Sequence, residues 1–329
     1  MKYSHLFNSN KHVYLRLQSV IHCTENSIYD GYVLGKSSAN CLIEIIKTID
    51  PRKILVINCK RVTEYGDHIF NVINEKTKSQ KRTILLFNTS GIFDVLNQLL
   101  SAAGFEKEEY PSEGAIVINR VKDKPFYLKV IDECLNEEKE FLTDAITNSF
   151  YEYGNQEGTL PSTPIIAEGE FDANKIISNP KEFLTLTQLM ADQVEELISQ
   201  ELNSKKFAEN YRQIKLLAVS LRGAPIAAQI AMLVGRRFDL IDHLGPRHKL
   251  FDVDFFENAA NEIYYIYIGD FAIGGTEVKI AKSYAQMVDC TLEYAFVIGS
   301  LFDKSRFRSF TLNYLVNITD LTESEYKLN

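Results

Sequence analysis

An α/β chain with two domains is predicted from three observations. Short, mainly apolar runs recur at Ile54–Cys59, Ile84–Asn88, Ile214–Ser220 and Tyr264–Ile268, each long enough for a buried strand. Segments with the apolar spacing of helices stand between them, the alternation that builds a helix-covered sheet. In the second half, two strands run into glycine-containing turns that open helices, at Leu221-Arg222-Gly223-Ala224-Pro225 and at Asp270-Phe271-Ala272-Ile273-Gly274-Gly275-Thr276-Glu277.

The whole-chain properties fit this class. With 329 residues, 45% hydrophobic and 24% charged, the chain has the length of two globular domains and an ordinary globular composition. No apolar run is long enough to span a bilayer. Met1–Phe7 lacks the apolar core of a signal peptide, and a cytoplasmic protein is expected. Residues 1–160 hold 19 Lys+Arg against 21 Asp+Glu, and residues 161–329 hold 17 against 23. Neither half offers the positive field that nucleic acid requires. Cys23, Cys41, Cys59, Cys134 and Cys290 form no Cys-x-x-Cys pair, so no structural zinc site is expected. Cys41, Cys59 and Cys290 lie in apolar contexts and read as small core residues.

In order, Val13–Ile21 reads as a strand, 40–49 as a helix stopped by Pro51, and Lys53–Cys59 as a buried strand. A helix over 67–75, a strand over 82–88 and a helix over 92–102 follow, the last ended by Gly104 as a left-handed cap. Ala115–Val121 and Phe126–Ile131 read as strands and Glu137–Phe150 as a helix. The turn-rich stretch Tyr153–Pro164 marks a boundary. The organisation expected is an N-terminal α/β domain over 1–153, a linker over 154–165 and a second α/β domain over 166–329. In the second domain, Asn179 caps a long helix that begins at Pro180 and runs to about Leu202. Strands over 214–220, 236–241, 264–268 and 291–298 follow.

The glycine turn after Tyr264–Ile268 has the layout of an anion site. A carboxylate ends the strand, glycines admit close backbone approach, and Thr276 opens a helix whose N–H groups and dipole favour negative charge. Two motifs, Ser220–Pro225 and Asp270–Thr276, resemble the pyrophosphate loop and the phosphoribosyl pyrophosphate (PRPP) signature of type I phosphoribosyltransferases. The resemblance covers about residues 169–301 and is nearest to the orotate-type branch. It implies a parallel five-stranded sheet with helices on both faces, and transfer of phosphoribose from PRPP to a nitrogenous base with release of pyrophosphate. It implies Mg²⁺ brought mainly by the substrate, with no dedicated metal ligands in the chain, and a homodimer.

Carried over residue by residue, Asp270 would accept from a ribose hydroxyl, and Phe271, Ala272, Ile273, Gly274, Gly275, Thr276 and Glu277 would surround the 5′-phosphate. Leu221, Arg222, Gly223 and Ala224 would contact pyrophosphate, with a strained or cis peptide expected there. Arg247, His248 and Lys249 would close over it and share the catalytic role with Asp270. Phe302 and Lys304 would line the base pocket. The family signature carries two adjacent acids, and here the first position is Gly269. Losing that acceptor costs about 1.5–3 kcal/mol where nothing replaces it. The alternative expectation is therefore a weakened member acting as a PRPP or nucleotide sensor. Residues 36–105 resemble a STAS-type domain, although the family's phosphorylated serine is absent near Thr63–Asp67. That resemblance implies a regulatory module through which the N-terminal domain meets a protein partner.

Overall fold

The computed structural model describes residues 3–17, 20–23, 29–33, 43–44, 47–60, 62, 70, 73–74, 82–120, 122–152, 158–159, 165–167, 169–202, 213–219, 221–241, 263–301, 309–317 and 327–328. The chain divides into two compact units, Met1–Phe141 and Leu142–Asn329.

The first unit is built on strands β1 (Tyr3–Asn8), β2 (His12–Leu17), β3 (Val20–Cys23), β4 (Tyr29–Val33), β5 (Ile54–Asn58), β6 (Ile84–Phe87), β7 (Lys107–Tyr110) and β8 (Ala115–Ile118). Six of them form one sheet in the order β1-β2-β5-β6-β8-β7, and β3 and β4 pair separately. The centre β2-β5-β6 is parallel, and β1, β7 and β8 add antiparallel edges. Helix α1 (Phe93–Ala102) packs Leu96 and Leu100 on one face of the sheet, against Leu15, Leu55, Ile57 and Leu86. Helix α2 (Lys124–Ser149) places Tyr127, Val130 and Cys134 on the other, against Tyr14, Val56, Leu85 and Val117. Gly104 ends α1 at φ +70°; its N–H donates to Ser101 O at 3.0 Å and the Phe105 N–H to Leu100 O at 3.1 Å, a Schellman stop.

Three expectations change here. Phe126–Ile131 is helical, not a strand. Tyr127, Val130 and Cys134 recur at three- and four-residue spacing, and this outweighs the β propensity of the local Phe-Tyr-x-x-Val-Ile run. Val13–Ile21 is two strands in two sheets rather than one. The predicted helices over 40–49 and 67–75 fall largely outside the described residues; Ile43, Glu44, Lys47, Thr48, Phe70, Ile73 and Asn74 are helical.

The first unit also buries charge. The Arg16 Nε donates to Glu138 Oε1 at 2.8 Å, and the Tyr14 hydroxyl donates to Glu138 Oε2 at 3.1 Å. Asn58 Nδ2 donates to the Tyr14 hydroxyl at 2.9 Å, and Asn88 Nδ2 to Asn58 Oδ1 at 3.0 Å. Burial and the Glu138 charge lift the Tyr14 phenol well above its ordinary range, so it stays a donor.

The second unit contains β9 (Phe150–Glu152), β10 (Gly158–Thr159), β11 (Ile165–Ala167), β12 (Gly169–Phe171), β13 (Gln213–Val219), β14 (Arg237–Ile241), β15 (Ile263–Ala272), β16 (Thr291–Ser300), β17 (Thr311–Asn317) and β18 (Lys327–Leu328). Its main sheet is five-stranded and parallel throughout, in the order β14-β13-β15-β16-β17. The short helix α3 (Ala173–Ser178) leads into α4 (Pro180–Leu197), which Asn179 caps through its side-chain oxygen, and a π-helical turn carries the chain on to Leu202. Helix α5 (Gly223–Val234) follows β13, and helix α6 (Thr276–Met287) follows β15.

These helices cover opposite faces. Leu186, Met190 and Val194 of α4 and Ile226, Ala227 and Ile230 of α5 pack on Leu216, Ala218, Ile266 and Ile268. Val278, Ala281 and Ala285 of α6 pack on Leu217, Val219, Tyr265 and Tyr267. The unit is the doubly wound α/β sheet that the sequence pattern predicts. Among the described residues no helix is long and apolar enough to cross a membrane.

Candidate functional site

The sheet order fixes where a site can form. From β13 the chain passes outward to β14, then returns to β15 on the other side of β13. The helix after β13 lies on one face and the helix after β15 on the other, so the two connections diverge at the carboxyl ends of neighbouring strands. Such a reversal opens a crevice where open α/β sheets take ligands. The two turns singled out in the sequence are the two that flank it.

They approach closely. A Cβ on Gly223 would stand 3.4 Å from Ile268 O and 3.8 Å from Gly269 Cα, in ordinary contact, so the start of α5 lies directly against the end of β15. Helix α5 begins at Gly223, two residues earlier than Pro225, with Arg222 as its N-cap residue. Gly223 and Ala224 therefore belong to the helix, and Leu221-Arg222 is the exposed turn, with Leu221 73% exposed. The cis peptide expected in this turn is not found: no peptide bond among the described residues is cis.

Strand β15 runs four residues beyond Ile268, to Ala272. Phe271 and Ala272 are thus strand residues, paired with Gly299 and Ser300. The Phe271 ring stacks on Phe171 at 4.7 Å and lies over Gly299, where a Cβ would meet it at 2.5 Å. Side-chain alternation shifts along the way. Ile266 and Ile268 share a core with Phe271, while Tyr265 and Tyr267 share the other with Ala272. The change of phase falls at Gly269–Asp270.

Asp270 is 9% exposed. Its Oδ1 accepts the Phe271 N–H at 2.7 Å. Burial lifts its carboxyl above the ordinary range, while the Phe271 N–H and the Arg222 guanidinium act the other way. A buried carboxylate with one opposing cation at a sheet crevice is the kind of group that functional sites keep. Beyond it, Gly275 adopts φ +67° and starts α6 with no side-chain cap. The first N–H groups of α6 have no intrahelical partner, as at any helix start. Thr276 is exposed and Glu277 half-buried.

The sequence reading missed Tyr267. Its hydroxyl donates to Glu277 Oε2 at 2.9 Å, and its ring lies along the strand over Gly269. A Cβ at 269 would stand 2.4 Å from the phenolic oxygen. Burial first, then the charges of Glu277 and Asp270, hold the phenol far above its ordinary range and keep it protonated. The signal available was the two-residue spacing of Tyr267 and Gly269 on one strand face. Arg247, His248, Lys249, Phe302 and Lys304 lie outside the described residues.

No protein-family model and no curated protein matches this sequence. Among solved structures, the chain is similar to the orotate phosphoribosyltransferase of Aeropyrum pernix, at 12% identity and TM-score 0.37, over 56% of this chain and 97% of that one. It is similar to a phosphoribosyltransferase of Corynebacterium diphtheriae at 10% identity and TM-score 0.37, over 56% and 98%. It is also similar to the adenine phosphoribosyl transferase of Trypanosoma brucei in complex with AMP, pyrophosphate and ribose-5-phosphate, at 14% identity and TM-score 0.38, over 56% and 81%.

Proposed function

We propose that the second unit binds PRPP at the β13/β15 crevice as a phosphoribosyltransferase-like protein, with transfer of phosphoribose to a nitrogenous base as its reaction. The observation that carries this reading is the meeting of the two turns at the strand reversal, with buried Asp270 in the field of Arg222. Backbone N–H groups at the start of α6 suit a 5′-phosphate, Asp270 suits a ribose hydroxyl, and Leu221-Arg222 and the start of α5 suit pyrophosphate. Arg247, His248 and Lys249 would serve charge that develops on the leaving group, and Phe302 and Lys304 the base. All of these assignments follow the sequence resemblance.

Among the described residues no group of three or more His, Cys, Asp or Glu could hold a metal. One buried carboxylate beside a phosphate site fits Mg²⁺ arriving on the substrate, where it would neutralise pyrophosphate charge. The chain's own part is orientation, with Asp270 fixed by the Phe271 N–H and the start of α5 lying against the end of β15.

A second reading has its own observation. The space beside Gly269 is filled by the Tyr267 phenol, so no acid stands there, and a binder without turnover fits that loss. In both readings the N-terminal unit acts as a regulatory module toward a protein partner, the chain is a homodimer, and the setting is cytoplasmic. Calorimetric titration with PRPP and Mg²⁺, followed by pyrophosphate release with a panel of bases, separates the two. Turnover supports the enzyme, and binding without turnover on any base supports the sensor. Absence of binding, with Asp270→Asn unchanged from wild type, removes both.

A further inference from the structure

Glu277 sits at the second position of α6, where an acid complements the helix dipole and competes with any bound anion for it. A surface glutamate there would swing aside as a phosphate arrived. This one is held. The Tyr267 hydroxyl donates to its Oε2 at 2.9 Å from a ring 1% exposed, packed among Leu217, Tyr265, Val278 and Ala281. The ring in turn needs the bare Cα of Gly269, since a Cβ there would meet the phenolic oxygen at 2.4 Å. Tyr267, Gly269 and Glu277 are thus one device: a core phenol lies along the last turn of the strand and fixes a carboxylate at the mouth of the anion turn. Asp270 adds a second carboxylate close enough to act on the same phenol, with Arg222 opposing it.

We infer that the Tyr267–Glu277 pair tunes the affinity of this turn, weakening its hold on phosphate dianions so that the ligand exchanges readily. The inference rests on the turn being the 5′-phosphate site proposed above. A fixed carboxylate in the first helical turn draws on the same helix dipole that a phosphate would use, and its charge repels the phosphate. Removing its charge should tighten binding by about tenfold or more. Removing the phenol takes away the hydrogen bond that fixes the carboxylate and should recover part of that gain. The effect runs opposite to what loss of a ligand contact or of fold would give, since both of those weaken binding.

The test is calorimetry of the full-length chain with ribose 5-phosphate, comparing wild type, Glu277→Gln and Tyr267→Phe at low and high salt. The expected order of affinity is Glu277→Gln above Tyr267→Phe above wild type, with the differences shrinking as salt rises. Equal or weaker binding by Glu277→Gln, with wild type still binding, overturns the inference and leaves the phosphate site standing. Failure of all three proteins to bind ribose 5-phosphate overturns both.

Discussion

Gly269→Ala tests the arrangement at the end of β15 most directly. No positive φ requires glycine at 269; the requirement is space. The new methyl would lie 2.4, 2.7 and 2.8 Å from Oη, Cε1 and Cζ of Tyr267, where ordinary contact begins near 3.4 Å. The phenol must therefore move by roughly 1 Å, inside a core where such overpacking costs about 1–3 kcal/mol. The same movement stretches the 2.9 Å bond to Glu277, a hydrogen bond to a charged group worth about 1.5–3 kcal/mol. Alanine regains about 0.5–1 kcal/mol over glycine in a strand. The net expectation is a loss of about 2–4 kcal/mol. In a Tyr267→Ala background the obstacle is gone, and Gly269→Ala should be neutral or slightly stabilising, a coupling of at least about 2 kcal/mol. The chain has no tryptophan, so urea unfolding followed by far-UV circular dichroism is the suitable assay. Equal cost in both backgrounds would show that the phenol does not lie over residue 269 and does not depend on glycine there to reach Glu277.

Three other outcomes are expected. Folding raises the Asp270 carboxyl above its ordinary range, so the folded chain holds a proton that the unfolded chain has released, and the contribution to stability falls as pH rises through that window. Asp270→Asn should therefore raise the urea midpoint near pH 7, lose this advantage near pH 3, and at the same time weaken binding of PRPP. Glu138→Gln removes the carboxylate facing buried Arg16 and should cost about 3–5 kcal/mol, whereas Arg16→Met with Glu138→Leu should cost less, read by thermal unfolding. Cys59 is buried, and desolvation pushes its thiol up to about 12; it and buried Cys134 should resist maleimide in the native chain and label in urea, as peptide mapping by mass spectrometry would show.

The second unit was the more legible in sequence, for a physical reason. Strands buried on both faces need continuous apolar runs, and Leu216–Val219 and Tyr264–Ile268 are of that kind. Caps were equally plain: Asn179 before Pro180 and Gly104 after α1 stand where the structure puts them. The misreading of Phe126–Ile131 came from taking six residues alone, when the period that decides helix from strand shows only over Tyr127, Val130 and Cys134. The end of β15 was misplaced because its last pairs are set by β16 rather than by local propensity. In the candidate site, Asp270 and the two turns were visible as motifs. The Tyr267–Glu277 bond was not, because it joins residues ten apart across a strand, a turn and a helix, and nothing local announces it.

The filling of residue 269 by its neighbour also constrains how this sequence can change. A single step that puts an acid at 269 drives a side chain into a packed phenol. A single step that shrinks Tyr267 first opens a core cavity at a cost of about 3–5 kcal/mol. Either intermediate falls below its two endpoints, so drift by single substitutions is blocked in both directions. Lineages sharing this chain's ancestry should accordingly keep Tyr267 and Gly269 together or replace both, and a sequence with an acid at 269 should carry a small residue at 267.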